Sequence, residues 1–206
     1  MFLILLVWMF GPNWPDSGEI DIIEGVSRNT NNLMSLHTYE SLTFKSLCRV
    51  LIGSSGPNCV MTAGADSGTV QNLQCDSTLD NGAGCGIQSN DPVSYGTGFN
   101  SIGGGVYATE WTSDFIQTFF FPRNSIPSDI ASGTPNPGTW GVPQSLFQGG
   151  STCDIDAEFA NQNLVFDTTF CGNWAGNVWT SDPVCSALAP TCIDYVAGNP
   201  GAYSNA

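Results

Sequence analysis

The sequence predicts an all-β domain, and three observations carry that prediction. The chain has 24 Gly and 12 Pro among many Ser, Thr and Asn residues, the pattern of short strands joined by turns. Its apolar segments are brief and rich in Ile, Val and aromatic residues. No stretch reads as a long amphipathic helix. A length of 206 residues fits one domain with a buried core.

Along the chain, Met1 to Phe10 is wholly apolar. It has no basic n-region and no small-residue cleavage site, so it is a poor secretory signal. It is also too short to cross a bilayer as a helix. The next element is the run Gly18-Glu19-Ile20-Asp21-Ile22-Ile23-Glu24-Gly25, in which isoleucines alternate with acids as in a strand. Glu19 and Asp21 share a face, whereas Glu24 has the opposite parity and a regular strand would bury its charge. A one-residue bulge at Ile22-Ile23 returns Glu24 to the acidic face. Four strand steps then put Glu19 and Glu24 Cα atoms about 13 Å apart. Side chains about 4 Å long, leaning together, bring the carboxyls within about 5 to 6 Å, close to the spacing of a retaining glycosidase pair. Crowding three acids drives one pKa up, as a general acid requires. The competing reading is a solvated polar face on a half-buried strand, which carries the cost of like charges side by side.

Further on, Met34-Ser35-Leu36-His37-Thr38 sends Met34 and Leu36 inward and turns Ser35 and His37 the other way. Gly103-Gly104-Gly105 reads as a turn, since no helix or Lys follows as a phosphate loop would need. A strand covers Tyr107 to Phe121; parity alone does not say whether Glu110 or Trp111 faces a cleft. Phe119-Phe120-Phe121 and Leu164-Val165-Phe166 are expected as core strands. Trp14 and Trp174 stand in turn-like contexts, where an indole can stack on a sugar ring or cover a core edge.

Four basic against eighteen acidic residues give a net charge of -14, which argues against nucleic acid or an anionic membrane as partner. The eight cysteines, Cys48, Cys59, Cys75, Cys85, Cys153, Cys171, Cys185 and Cys192, include no C-x-x-C pair, and one histidine cannot complete a conventional zinc site with them. Disulfides, and with them an oxidising compartment, are the expectation. No N-x-S/T sequon is present.

The segment GPNWPDSGEIDIIEGV followed by LMSLHT resembles the active-site stretch of glycoside hydrolase family 16, in its bulged, laminarinase-like branch with the pattern E-x-D-x-x-E. The likeness continues through SYGTGFNSIGGGVYATEWTS, FFFPRNSIPSDI and NQNLVFDTTFCGNWAGNVW, as in fungal endo-β-1,3(4)-glucanases, and covers about residues 11 to 203. The resemblance implies a concanavalin-like jelly-roll β-sandwich lacking its front strands, with residues 1–206 a single, incomplete catalytic domain. Met1 to Phe10 then corresponds to the inside strand before the G-P-N-W-P turn. Loss of front strands predicts unpaired edges and an exposed inner face.

It implies retaining endo-hydrolysis of β-1,3- or mixed β-1,3/1,4-glucan, with Glu19 as nucleophile, Glu24 as general acid and base, and Asp21 as the neighbour that tunes Glu19; spacing alone would allow Glu19 and Glu24 to exchange roles. Trp14, His37, Glu110, Trp111 and Trp174 are the implied substrate-binding residues, His37 either orienting Asp21 or touching sugar. No metal or cofactor is implied. A β-glucan polysaccharide is the expected partner of an extracellular or cell-wall monomer. Two alternatives stand beside this reading: a glucan-binding remnant without turnover, and a secreted structural protein of the cell wall.

Overall fold

The computed structural model describes residues 3–39, 59–79 and 81–203. Among these residues, ten strands form two antiparallel sheets: β1 (Leu3–Phe10), β2 (Glu19–Glu24), β3 (Leu33–His37), β4 (Thr62–Ala63), β5 (Thr69–Asn72), β6 (Cys85–Gln88), β7 (Gly105–Trp111), β8 (Phe115–Pro122), β9 (Ser145–Gln148) and β10 (Asn163–Phe170). The six-stranded sheet runs β10-β1-β2-β3-β6-β5 and the four-stranded sheet β4-β9-β8-β7. Neighbours distant in sequence, such as β1 and β10, make this the sandwich of a jelly roll.

Alternation decides what lies between the sheets. Ile20, Met34, Leu36 and Ile87 from the first sheet meet Ile116 and Phe147 from the second in one buried cluster, with Met9 and Ile22 packed against it. The opposite face of β2 and β3, carrying Asp21, Ser35 and His37, is thereby turned away from the apolar interior. The apolar segment at the start of the chain forms β1, an inner strand paired on both sides.

The segment Leu164-Val165-Phe166 is a strand but not a core one. In β10, Leu164 is 55 % exposed and Phe166 75 %. Leu164 and Phe166 stand opposite Met9 and Val7 of β1, and so lie on the sandwich-facing side of the sheet. The four-stranded sheet ends at β7, which lies against β2; on the same face of β10, Tyr203 packs edge-on against Phe170 with ring centroids 4.8 Å apart, while Leu164 and Phe166 stay exposed. Phe119 and Phe120 are buried as expected, and Gly103 and Gly104, both at positive φ, form the turn into β7.

Helix appears where sequence periodicity signalled none. Gly172–Val178, Pro183–Leu188 and Cys192–Gly198 form short helices around fully buried Trp179, with Cys171, Cys185 and Cys192 in the same cluster. Among the described residues, three disulfides join Cys59 to Cys153, Cys75 to Cys85 and Cys171 to Cys192. The first spans 94 residues of sequence, a loop whose closure in the unfolded chain corresponds to roughly 4 to 5 kcal/mol of stabilisation in the chain-entropy model. Cys185 is a buried thiol; Cys48 lies outside the described residues. No described helix is long and apolar enough to cross a membrane.

Candidate active site

The register of β2 against β3 shows the bulge directly. Glu19 stands opposite His37, Asp21 opposite Ser35 and Glu24 opposite Leu33, with the register shifting between Asp21 and Glu24. Residues directly opposite share a face, and 33, 35 and 37 alternate on one side of β3. Glu19, Asp21 and Glu24 therefore project together. Gly18 is needed immediately before this row: its φ is +72°, and a Cβ there would lie 2.5 Å from the Phe159 ring, so only glycine fits the turn.

A bulge leaves backbone groups out of the ladder, and Asn32 takes them up. This side chain is fully buried. Its Oδ1 accepts from the Glu24 amide at 2.8 Å, and its Nδ2 donates to the Ile22 carbonyl at 2.8 Å. One amide thus replaces the two ladder bonds that the extra residue displaces, and it fixes the backbone that aims Glu24.

The three acids are drawn together by short polar contacts. Ser35 Oγ, itself buried, lies 2.5 Å from Glu24 Oε2 and 3.2 Å from Asp21 Oδ2. His37 Nε2 lies 3.2 Å from the same Asp21 oxygen, while its Nδ1 is 3.1 Å from Ser77 Oγ. The Trp14 indole donates to Glu19. Burial pushes Glu19 up to about 7 and the charge of Asp21 adds to it; His37 and the Trp14 hydrogen bond pull the other way. Glu24 is pushed up to about 8, again by burial first and by Asp21 second. Burial also raises Asp21, against hydrogen bonds with Glu19 and Ser35. Burial, joined at Glu19 and Glu24 by repulsion from Asp21, thus raises all three acids above the ordinary carboxylate range. Glu19, Asp21 and His37 can bring one ligand atom each within 4.8 Å of one another, as a metal-ligand set would; the hydrogen bonds inside the cluster already account for that convergence.

The structure brings some of the implied substrate-binding residues to this face and not others. Trp14 is 56 % exposed at the Glu19 end of the row. Trp174 lies past the Glu24 end, packed against Val26 and lining a pocket of about 590 Å³ with Arg28, Asn29 and Asp182. Glu110 and Trp111 belong to the second sheet. Glu110 stands opposite Gln117 and accepts from its amide at 2.6 Å, on the side of β8 away from Ile116. Trp111 stands opposite Ile116, on the interior side. Neither side chain joins the acidic cluster, because the sheet that carries them is the other layer of the sandwich.

Two aromatic side chains on the acidic face were not singled out in the sequence. Trp8 stands opposite Asp21 and Phe10 opposite Glu19, and their rings stack 4.9 Å apart. The Trp8 indole Nε1 is buried without a hydrogen-bond partner among the described residues. In a segment apolar at every position, alternation carries no signal; the available clue was the parity of β1 relative to β2 across the intervening turn.

A fold and a face of this kind have known relatives. Residues 6–206 match the model of the XgeA-like, catalytic GH16 domain. The chain is 39 % identical over 200 residues to an endo-1,3(4)-beta-glucanase of Arthroderma benhamiae, covering 97 % of this chain and 41 % of that protein. It is 42 % identical to a probable endo-1,3(4)-beta-glucanase of Aspergillus clavatus, of which it spans 29 %, again with 97 % of this chain covered. Among solved structures, a mutant laminarinase 16A that cyclizes laminariheptaose superimposes with a TM-score of 0.84 at 37 % identity, over 99 % of this chain and 64 % of that one. Laminarinase 16A from Phanerochaete chrysosporium, solved with 6-O-glucosyl-laminaritriose in donor and acceptor sites, gives the same values. The chain spans less than half the length of the two glucanases and about two thirds of the laminarinase. With the model match and the identities together, the chain belongs to glycoside hydrolase family 16.

Proposed function

We propose that this chain carries the catalytic face of an endo-acting glycosidase that hydrolyses β-1,3- or mixed β-1,3/1,4-glucan with retention of configuration. The observation that carries the reading is the bulged strand, which gathers Glu19, Asp21 and Glu24 on one side of the sheet. Glu19 attacks the anomeric carbon while Glu24 protonates the departing glycosidic oxygen; Glu24 then takes a proton from the water that releases Glu19. Asp21 lies between them, tied to His37, and buffers the charge that Glu19 loses and regains. The raised pKa of Glu24 suits a group that must hold a proton until it is needed.

Trp14, Trp8 and Phe10 provide aromatic area beside the acids, on which pyranose faces stack. The residues are read as part of one catalytic domain, acting as a monomer, and the three disulfides support an extracellular or cell-wall setting. Reducing-sugar release from laminarin and from lichenan tests the reading, with Glu19→Gln as control. Release by the natural chain that the control lacks supports it; undiminished release by Glu19→Gln overturns it.

A further inference from the structure

General acid catalysis requires more than a protonated carboxyl, because only one of its two oxygens can face the leaving group. In this site the choice is made by Ser35. Its hydroxyl carries a single hydrogen and has two acceptors in reach: Glu24 Oε2 at 2.5 Å and Asp21 Oδ2 at 3.2 Å. The shorter distance gives Glu24 the hydrogen. Ser35 is 1 % exposed, so water does not compete for the hydroxyl, and its strand position directly opposite Asp21 fixes where the oxygen sits.

We propose that Ser35 is a positioning residue that pins Glu24 Oε2 and thereby assigns the proton to Oε1. The inference rests on Glu24 being the general acid, as read above. In the first step Oε1–H gives its proton to the glycosidic oxygen as the C1–O bond breaks and Glu19 forms the new C1–O bond. In the second, water bonds to C1, its proton goes to Oε1, and Glu19 departs as a carboxylate. Oε2 accepts from Ser35 throughout, so neither step requires the carboxyl to turn. Asp21 gains the Ser35 hydrogen only if Glu24 moves away, which makes Ser35 a selective tether between two acids of the same cluster.

The role predicts a split between substrates. Dinitrophenolate is so weak a base that it departs without a proton, so hydrolysis of 2,4-dinitrophenyl β-laminaribioside bypasses the acid in the first step, which kcat/KM reports. A positioned general acid contributes about a hundredfold or more; Ser35→Ala is expected to lower kcat/KM on laminarin by about tenfold or more and on the dinitrophenyl substrate by less than about threefold. Ser35→Thr, which retains a hydroxyl, is expected to restore the laminarin rate. An equal loss on both substrates would mean that Ser35 only supports packing, and no loss on either would mean that the hydroxyl is dispensable; either result overturns the inference. Glu24→Gln separates this failure from failure of the functional reading. If the natural chain is active and Glu24→Gln lacks the same split, Glu24 is not the acid and both ideas fall.

Discussion

Replacing Asn32 by alanine isolates the energetic role of the bulge. The substitution removes one side chain that serves two backbone groups, the Glu24 N–H and the Ile22 C=O, each at 2.8 Å. Asn32 is fully buried, so water does not substitute readily for the lost amide. A buried polar group left without its partner costs about 1 to 3 kcal/mol, so Asn32→Ala, which orphans two, should destabilise by roughly 2 to 6 kcal/mol. For a chain of this size that corresponds to a fall in Tm of roughly 5 to 15 °C. Activity should fall by more than the unfolded fraction explains, because Glu24 loses the hydrogen bond that fixes its backbone. A misplacement of about 1 Å at a catalytic group can cost about a hundredfold. Differential scanning fluorimetry and kcat/KM on laminarin, measured well below the variant's Tm, check both expectations. A variant within about 2 °C of the natural Tm (below 1 kcal/mol) and with full kcat/KM would show that the bulge holds itself and that Asn32 is incidental.

Two other perturbations probe the acids. Trp14→Phe keeps an aromatic face but removes the indole N–H that donates to Glu19; that bond lowers the Glu19 pKa, so the acidic limb of the kcat/KM profile should move to higher pH, and an unmoved limb would refute the coupling. Glu24→Gln bears on stability. A carboxyl whose folded pKa is raised contributes fully below its unfolded value, near 4.5, and loses that contribution as pH rises toward about 8. Urea unfolding at pH 5 and pH 8 should therefore show the natural chain losing stability across this interval and Glu24→Gln losing less; equal losses would refute the buried-charge account.

Much of the site was legible because strand parity is a strict rule. Glu24, out of phase with Glu19 and Asp21, required a bulge at Ile22-Ile23, and the register shifts between Asp21 and Glu24. Met34, Leu36, Ser35 and His37 fell on the sides that alternation assigns. Legibility failed where the rule had nothing to act on. Trp8 and Phe10 sit in a run apolar at every position, so their face depends on pairing with β2, a long-range fact. Leu164 and Phe166 look like core residues by composition, but burial depends on whether a second layer extends over their strand. Glu110 and Trp111 were undecided by parity because parity separates the two sides of a strand and does not identify the layer. Asn32 carried no visible signal at all: its function is to satisfy backbone groups, and an asparagine before a strand more commonly marks a turn. The helices around Trp179 were missed because segments of six or seven residues are too short to show a clear period and are held by a disulfide and a buried indole.

The pairing of β1 with β2 has a consequence for folding fidelity. Because β1 is apolar on both sides, a slip by one residue would exchange Trp8 and Phe10 for Val7 and Met9 without exposing a single charge or burying one. Hydrophobicity therefore gives little protection against that error. Correct alignment must come from shape, through the stacked rings and the fit of Met9 beside Ile20, and a misaligned chain would retain its sheet and its acids while presenting aliphatic chains where the flat rings belong. In such a protein the aromatic area proposed for pyranose stacking would be lost before the sheet was, and far-UV circular dichroism, which reports the sheet alone, would not detect the fault.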